Sequence, residues 1–402
     1  MMLKRDFPAL TMGIMATLAG IGLARFAYTP LLPALIQQQW FSDSQAAYLG
    51  AANLLGYLIG ALSSHTLSER YSPRLVIAIS FTGIAFSFLL CAFPASFSWF
   101  FIWRLVSGIA GAVLMVVGPS LALAATPVDR RPQVGALIFT GIGLGALLSA
   151  WVVPLLLDAG LLITWTTLGV ITMIAGMLCD HGLKQLTTTA VSPAQHSRYQ
   201  ESPVGMKALL VCLVIGAYTL DGAGFVPHTV FWVDYLAREN SLGNHAASLQ
   251  WEIFGVGAIC GPLIAGAFTK RLGWQRGLVF AFLVKTAAIA LPLLSLGMLS
   301  RSLSSFLVGA MIPGIVALTS GRLVELVGPT SHKKYWGRAT AAFALAQAIS
   351  GYGMSALYIY WGSYTPLFAI GALMLATGSL LILLSPGVQA RYGHIPPHTR
   401  RQ

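Results

Sequence analysis

Charged side chains are scarce in this chain of 402 residues. Asp, Glu, Lys and Arg together make up 9% of the sequence, whereas an ordinary soluble domain carries about 25%. Hydrophobic residues reach 56%, and the mean hydropathy is +0.75. One soluble core cannot bury so much apolar surface, and the composition therefore predicts a protein that is surrounded by lipid.

Signatures of catalysis and of nucleotide binding are also lacking. The sequence has no G-x-x-x-x-G-K-[ST] loop, and its apolar segments contain no H-x-x-E-H or G-x-S-x-G pattern. Its four cysteines have neither a C-x-x-C partner nor a nearby histidine, which favours small buried thiols over a disulfide or a metal site. We therefore predict neither an enzyme nor an ATP-driven pump, and we expect no cofactor and no metal.

Long apolar segments fill most of the chain. A window of about 20 residues finds them at 8–36, 44–65, 75–94, 97–125, 133–157, 161–179, 207–235, 248–268, 276–298, 304–327, 337–360 and 363–385. The pattern predicts an all-α polytopic membrane protein with 12 transmembrane helices in two pseudo-symmetric six-helix bundles. Its predicted parts are an N-terminal bundle, a cytoplasmic linker, a C-terminal bundle and a cytoplasmic tail, at 1–180, 181–206, 207–388 and 389–402.

Basic residues are concentrated in alternate connections between these segments. Most of the 24 Lys and Arg residues fall in the chain ends, the linker and every second loop, whereas the other loops hold only Arg238 and Arg301. Because loops rich in Lys and Arg stay on the cytoplasmic side, we predict a multi-pass protein of the cytoplasmic (inner) membrane with both termini in the cytoplasm. The net charge of +12 then reflects topology, and no nucleic-acid partner is expected.

Short motifs recur in the two halves of the chain. SERYSPRLV at 68–76 has a counterpart in TKRLGWQRGLV at 269–279, and DRRPQVGALIFTGIGLGALLSA at 129–150 matches HKKYWGRATAAFALAQAISGYG at 332–353. Repeated halves are common in secondary transporters, in which the substrate site lies between the halves near the middle of the membrane. The repeat therefore favours a transporter.

These motifs resemble those of the major facilitator superfamily, and GIGLARFAYTPLLPAL resembles the opening of its YbfB/YjiJ-like branch. The superfamily signature G-x-x-x-D-R-x-G-R-R survives in part after the second and eighth segments, and RLVSGIAG matches its R-x-x-x-G-x-x-G signature. The resemblance implies the major facilitator fold, alternating access and a monomer. It also implies gating or conformational roles for Glu69, Arg70, Arg74, Gly108, Gly111, Gly266, Arg271 and Gly273.

Basic residues also occur inside the apolar segments, where a charge costs several kcal/mol. Arg25 precedes two prolines that are expected to kink its helix. We interpret it as the group that binds a substrate carboxylate or phosphate, with a structural ion pair as the alternative. For Arg104 the resemblance favours proton transfer or cavity electrostatics, and the alternative is an arginine that bonds to backbone carbonyls. Lys285 is expected to extend toward the cytoplasm, and the alternative is that it adds positive potential to the cavity.

Asp221, in AYTLDGAGFVPHTVFW, is the predicted proton carrier. Aligning Pro227 with Pro30 places Asp221 within one residue of the depth of Arg25. Substrate arriving at Arg25 would then release the carboxylate to take up a proton, and the alternative is a permanent ion pair between the two residues. The predicted substrate-binding residues are Arg25, Tyr28, Asn53, Tyr57, Arg104, Tyr218, His228, Gln347 and Tyr352.

The sequence as a whole predicts a secondary active transporter that moves a small organic solute by alternating access, with the solute, protons and the lipid bilayer as partners. Embedded basic residues outnumber the central acid, which favours an anion such as a carboxylate. The alternative is proton-antiport efflux of drugs or of amphipathic or cationic metabolites, with Asp221 as the cation and proton site. Ala146 stands where many antiporters of the superfamily carry a proline, which weakens that alternative. A membrane sensor is disfavoured because no soluble domain accompanies the segments.

Overall fold

The computed structural model describes residues 6–127, 130–188 and 204–392. These residues form helices and no strand, and twelve helical stretches are long and apolar enough to cross a membrane. The predicted all-α architecture is therefore confirmed. We label the spans α1 (Phe7–Gln37), α2 (Asp43–Arg70), α3 (Pro73–Leu90), α4 (Phe97–Ala124), α5 (Gln133–Leu157), α6 (Leu161–Leu186), α7 (Ala208–Glu239), α8 (Gly243–Thr269), α9 (Arg271–Leu294), α10 (Met298–Gly328), α11 (Tyr335–Trp361) and α12 (Thr365–Ser385).

Short connections make consecutive spans antiparallel. α1 begins at the end of the molecule that we call the amino-terminal face, and it ends at Gln37 on the opposite face. α2 begins with a capping box, in which the Ser42 hydroxyl accepts from the backbone N–H of Gln45 and the Gln45 side chain accepts from that of Ser42. At the starts of α3 and α4, the hydroxyls of Ser72 and Ser96 also accept from the backbone N–H three residues further on. Hydroxyl caps in the connections thus set where these spans begin.

The predicted domain boundaries fall within longer helices. The helix that contains α6 runs over Leu161–Thr188, the helix that contains α7 begins at Val204, and the last helix ends at Tyr392. Residues 189–203 of the predicted linker and 393–402 of the predicted tail lie outside the described residues. The division into two bundles, a linker and a tail stays a prediction.

The spans α1 and α7 are irregular at corresponding places in the two halves. α1 is α-helical at Phe7–Thr17, π-helical at Leu18–Leu23 and α-helical again at Tyr28–Gln37. α7 contains π-helical turns at Pro227–Phe231 and Tyr235–Glu239. Each span carries a proline near its break, and proline has no N–H to donate to the preceding turn. Such breaks expose backbone groups to side chains from other helices, and they are frequent at functional sites.

Two pairs of spans are joined without a loop. α8 and α9 form one helical trace over Gly243–Leu294 that is broken at Gly273, and α10 and α11 form another over Met298–Trp361 that is broken at Gly328. The φ angles of these glycines are 76° and 74°, in a region that favours glycine because it has no Cβ. Gly273 of the signature therefore makes a single-residue break near the start of α9.

Equivalent helices of the two halves pack through glycine. In the first half, Gly56 and Gly108 each face a backbone carbonyl across the contact between α2 and α4. In the second half, Gly257 and Gly309 do the same across the contact between α8 and α10. A Cβ at any of these positions would collide with the facing backbone, so glycine permits the close approach typical of helices in membranes. The matching contacts reflect the pseudo-symmetry of the halves.

The two halves touch at the centre and at the opposite face. At the centre, the Thr29 hydroxyl of α1 donates to the carbonyl oxygen of Thr229 on α7. At the opposite face, the side chains of Gln37 and Asn244 exchange hydrogen bonds of 3.1 and 3.4 Å. Arg25 and Gln347 also join the halves at the centre, and Asp43 joins Arg238 and Tyr358 at the opposite face. The molecule is thus closed at the opposite face.

Candidate functional site

Arg25 lies at the junction of the two halves, just after the π-helical turn of α1. Its side chain is buried, with 6% of the residue exposed. Nη1 donates to Oε1 of Gln347 on α11 at 3.0 Å, and the guanidinium carbon lies 4.4 Å from the ring centroid of Tyr57 on α2. The other two nitrogens, Nε and Nη2, are buried and have no hydrogen-bond partner. A permanently charged guanidinium therefore lies at the centre, and the edge formed by its Nε and Nη2 makes no hydrogen bond.

Side chains from both halves surround this guanidinium. Tyr218 on α7 interacts electrostatically with Arg25 and with Tyr57, and its ring stacks on Phe343 with 4.5 Å between centroids. The amide nitrogen Nε2 of Gln347 is buried without a partner. We call Arg25, Tyr57, Tyr218 and Gln347 the central cluster, since two of these residues come from each half. All four were predicted as substrate-binding residues.

The unfilled edge of Arg25 has a definite chemistry. Nε–H and Nη2–H point the same way from a rigid plane, and this fork matches the two oxygens of a carboxylate or phosphate. The Nε2 amide of Gln347 adds a neutral donor beside the fork. The central cluster therefore presents hydrogen-bond donors and a positive charge, together with aromatic faces.

Arg104, Asn53 and Tyr28 support the break in α1. The backbone N–H of Tyr28 bonds to the carbonyl of Arg25 instead of continuing the regular ladder, which leaves the carbonyl of Ala24 to other donors. Arg104 donates to that oxygen through Nη1 at 3.0 Å and Asn53 through Nδ2 at 3.1 Å. The Arg104 guanidinium also lies 4.4 Å from the ring centroid of Tyr28. This geometry corresponds to the carbonyl-bonded alternative for Arg104, and the residue still adds positive potential near Arg25.

Asp221 binds Lys285 and not Arg25. The Nζ atom of Lys285 lies 2.6 Å from Oδ1 of Asp221, and the two side chains are 0% and 1% exposed. The expectation that Lys285 extends toward the cytoplasm was wrong, because its amine is held inside the C-terminal half by this carboxylate and by the ring of Phe225, 4.1 Å away. The alternative of a permanent pair between Asp221 and Arg25 does not occur in the structure.

His228 and Tyr352 lie apart from the central cluster. Nε2 of His228 is 2.8 Å from Oγ of Ser304 on α10, and its ring stacks on Trp232 at 4.6 Å. Tyr352 is nearer the opposite face, with its ring centroid 6.0 Å from that of Tyr48 on α2. Their predicted roles in substrate binding stay predictions, and the structure places neither beside Arg25.

Some residues of the superfamily signatures make ion pairs or tight backbone contacts, whereas others are exposed or have open space around them. Arg74 makes a bidentate ion pair with Asp180 of α6, at 2.6 and 3.1 Å, and Glu69 lies 3.2 Å from His65 on its own helix. Gly108 faces the carbonyl oxygen of Asn53, and Gly111 that of Gly20 on α1. The side chains of Arg70 and Arg271 are exposed, and the space around Gly266 and Gly273 is open.

A network at the opposite face was not predicted from the sequence. Arg238 makes a bidentate ion pair with Asp234 on its own helix and reaches Asp43 of the other half at 3.3 Å. Tyr358 donates to Asp43 at 3.3 Å and Tyr364 to Asp234 at 2.7 Å. Burial and the nearby carboxylate raise the pKa of Tyr364 above its usual range, so its phenol stays a donor. We call these five residues the latch. The sequence feature that could have indicated this network is that Arg238 is one of the few basic residues predicted in the loops on that side.

Known proteins resemble the chain over a third to nearly all of its length. A family model described as "Uncharacterised MFS-type transporter YbfB" matches residues 17–383. The chain is 24% identical to a gallate transporter of Pseudomonas putida, over 90% of this chain and 89% of the relative. It is 24% identical to the class B tetracycline resistance protein of Escherichia coli, over 78% of each chain. It is also 27% identical to the 4-hydroxybenzoate transporter PcaK of Acinetobacter baylyi, over 34% of this chain and 30% of the relative.

Proposed function

The chain belongs to the MFS-type transporter family of YbfB, and from this premise we propose that it moves a small organic anion, in particular an aromatic carboxylate, across the cytoplasmic membrane. As the sequence predicts, it is a multi-pass transporter and not an enzyme. The proposal includes alternating access, coupling to protons through Asp221, and cytoplasmic termini. Arg25 is the proposed anion-binding residue, and Gln347, Tyr57 and Tyr218 are its proposed partners in the site.

The two nitrogens of Arg25 that lack a hydrogen-bond partner are the main reason for proposing an anion as the substrate. A buried donor that lacks an acceptor costs about 1–3 kcal/mol, and more when the group is charged. The buried carboxylate of Asp221 is already held by Lys285. Arg25 and Arg104 therefore leave a positive centre that a substrate carboxylate would neutralise while it fills Nε and Nη2. Embedded charges of this kind mark substrate pathways.

The aromatic side chains favour a substrate that carries a ring. Tyr57 lies against the guanidinium on one side, and Tyr218 with Phe343 forms a stacked pair on the other half. Flat faces of this type pack against an aromatic ring while leaving the charged end to the arginine. The names of two relatives support this choice, since gallate and 4-hydroxybenzoate are both aromatic carboxylates.

The latch supports alternating access. It joins Asp43 of the N-terminal half to Arg238 and Tyr358 of the C-terminal half. In the proposed topology the opposite face is the outer one, so this state is closed to the outside. Opening to the outside requires that the bonds to Asp43 break while the pair inside the C-terminal half, Arg238 with Asp234, is kept.

Thermal stabilisation of the detergent-purified protein tests the anion site, because a ligand that binds the folded state raises the melting temperature. The probes are 4-hydroxybenzoate and gallate, and 4-hydroxybenzamide is the neutral control. We expect both acids to stabilise the wild type and the amide to have no effect. Arg25→Lys keeps the charge and loses the fork, and should weaken binding at least about 10-fold, since one hydrogen bond to a charged group contributes about 1.5–3 kcal/mol.

Arg74→Lys is the matched control, because Arg74 binds Asp180 at the amino-terminal face and does not touch the central cluster. Its response to the acids should equal that of the wild type. If neither acid shifts the wild-type melting temperature, the proposed substrate class is wrong. If the acids stabilise wild type and Arg25→Lys equally, the anion is bound elsewhere and Arg25 is a structural residue.

The class B tetracycline resistance protein supports the second candidate, efflux of drugs or of amphipathic or cationic metabolites. Tetracycline is therefore included in the same assay. If tetracycline stabilises the wild type and Arg25→Lys but not Asp221→Asn, efflux is favoured over anion transport.

A further inference from the structure

Two tyrosines, one from each half, flank the site of Arg25. The ring centroid of Tyr57 on α2 lies 4.4 Å from the guanidinium carbon of Arg25. On the other side of the junction, Gln347 binds Arg25 at 3.0 Å and lies one helical turn after Phe343 on α11. The ring of Tyr218 on α7 stacks on Phe343 with 4.5 Å between centroids. Tyr57 and Tyr218 therefore approach the same arginine from opposite halves.

The packing of α2 against α11 fixes the level of Tyr57. Gly351 faces Leu54 so closely that a Cβ on the glycine would lie 2.6 Å from Cδ1 of the leucine. The two spans are antiparallel, since α2 begins at the opposite face and α11 ends there. One turn away from this contact, α2 carries Tyr57 and α11 carries Gln347. The register thus places the phenol of Tyr57 at the level of the glutamine that binds Arg25.

The hydroxyls of Tyr57 and Tyr218 remain available to a ligand. Neither makes a hydrogen bond with another residue that the structure describes, although a buried phenol usually finds a partner. Tyr28, which is 2% exposed, donates to the carbonyl oxygen of Ala46 at 2.8 Å. Tyr57 and Tyr218 are 5% and 3% exposed, and neither phenol oxygen is among the enclosed polar atoms that lack a partner. The small exposed part of each side chain therefore includes its hydroxyl.

These hydroxyls differ from the arginine in the ligand atoms that they suit. A phenol both donates and accepts hydrogen bonds, whereas a carboxylate only accepts them. The donors for a carboxylate are already supplied by Nε and Nη2 of Arg25. The acceptor capacity of the two phenols is used only by a ligand group that carries a hydrogen, and a hydroxyl can donate to one phenol while it accepts from the other.

We propose that Tyr57 and Tyr218 bind a ring hydroxyl of the substrate, so that the transported anion is a hydroxylated aromatic carboxylate. This inference rests on the proposed function, because it assigns the second polar end of the ligand that Arg25 binds. A hydroxyl bound to both phenols spans the junction between the halves. An acid without a hydroxyl leaves both phenols without a partner and binds less tightly for that reason.

Isothermal titration calorimetry of the detergent-purified protein with gallate and with benzoate tests this assignment. The two acids share the ring and the carboxylate, and gallate alone carries hydroxyls. One neutral hydrogen bond changes an affinity about 2- to 10-fold, so we expect the wild type to bind gallate about 10-fold more tightly than benzoate. Tyr57→Phe and Tyr218→Phe keep the rings and remove the hydroxyls. Each should reduce the preference for gallate, and the double variant should abolish it, while the affinity for benzoate stays unchanged.

Tyr71→Phe is the matched control, because Tyr71 directly follows α2 and is 54% exposed, and it should keep the full preference. Equal affinity of the wild type for the two acids would overturn this inference and leave the anion site at Arg25 in place. A preference that survives in the double variant would overturn it too.

An equal loss of affinity for both acids in Tyr57→Phe or Tyr218→Phe also contradicts the inference, because the phenols would then bind the carboxylate. If neither acid binds the wild type, the proposed function fails and this inference fails with it. If one single variant does not fold, the other decides, since each removes one of the two hydrogen bonds.

Discussion

The ion pair between Asp221 and Lys285 allows a quantitative test of how the C-terminal half is stabilised. Lys285→Met preserves the length and the apolar character of the side chain but removes its charge. Asp221 is then left as a buried carboxylate whose bonded oxygen has lost its donor. Because the two side chains are 0% and 1% exposed and their charged atoms lie 2.6 Å apart, little solvent is available to compensate.

The expected loss follows from this burial. Removing one partner of a buried ion pair costs about 3–5 kcal/mol, whereas replacing both partners by uncharged groups is often neutral. We therefore expect Lys285→Met to melt well below the wild type and the double variant Asp221→Asn/Lys285→Met to recover most of the loss. A non-additive result of this kind identifies a direct interaction between the two residues.

Thermal unfolding of the purified variants in one detergent provides the measurement. Arg74→Gln is the control, since it breaks an ion pair with Asp180 whose side chains are 56% and 34% exposed, and solvent screening leaves such an exposed pair with little effect on stability. If Lys285→Met melts like Arg74→Gln, or if the double variant is no more stable than Lys285→Met, the assigned pairing does not stabilise the fold and the reasoning fails.

The remaining predictions concern closure and packing. Asp43→Asn weakens the bond that the latch makes between the halves, so we expect a cysteine introduced at Ala51 to react severalfold faster with a membrane-impermeant maleimide. Unchanged labelling would mean that the latch does not control closure. Gly108→Val places a side chain against the carbonyl of Asn53 and should destabilise the protein by about 1–3 kcal/mol. Gly266→Ala, which has open space around it, should have a melting temperature close to that of the wild type.

Hydropathy was sufficient to predict the twelve apolar helices, because a lipid environment demands long apolar helices whatever their packing. Arg25 could be identified as a site residue for the same reason, since a charge in such a helix needs an explanation. Its partner Gln347 is 322 positions away in the sequence, yet both were predicted, because each is a polar residue on an apolar span.

The pairing of the charges was not predictable from the sequence. Depth along the membrane follows from counting residues, and by that measure Asp221 is level with Arg25. The direction in which a side chain points depends on how each helix is rotated within its bundle, and this is set by packing among distant helices. The predicted depth of Asp221 therefore stays a prediction, and its partner, Lys285 on α9, was not identified from the sequence.

Gln347 gives Arg25 a hydrogen-bond acceptor from the protein itself. Its Oε1 atom accepts from Nη1 of Arg25 across the junction, so the halves can close with no solute between them while one guanidinium donor is satisfied. A transporter whose unloaded form closes can return alone and accumulate its solute, whereas one that closes only when loaded must exchange one molecule for another. We therefore expect net transport from this protein, and a shift toward one-for-one exchange when Gln347 is replaced by leucine.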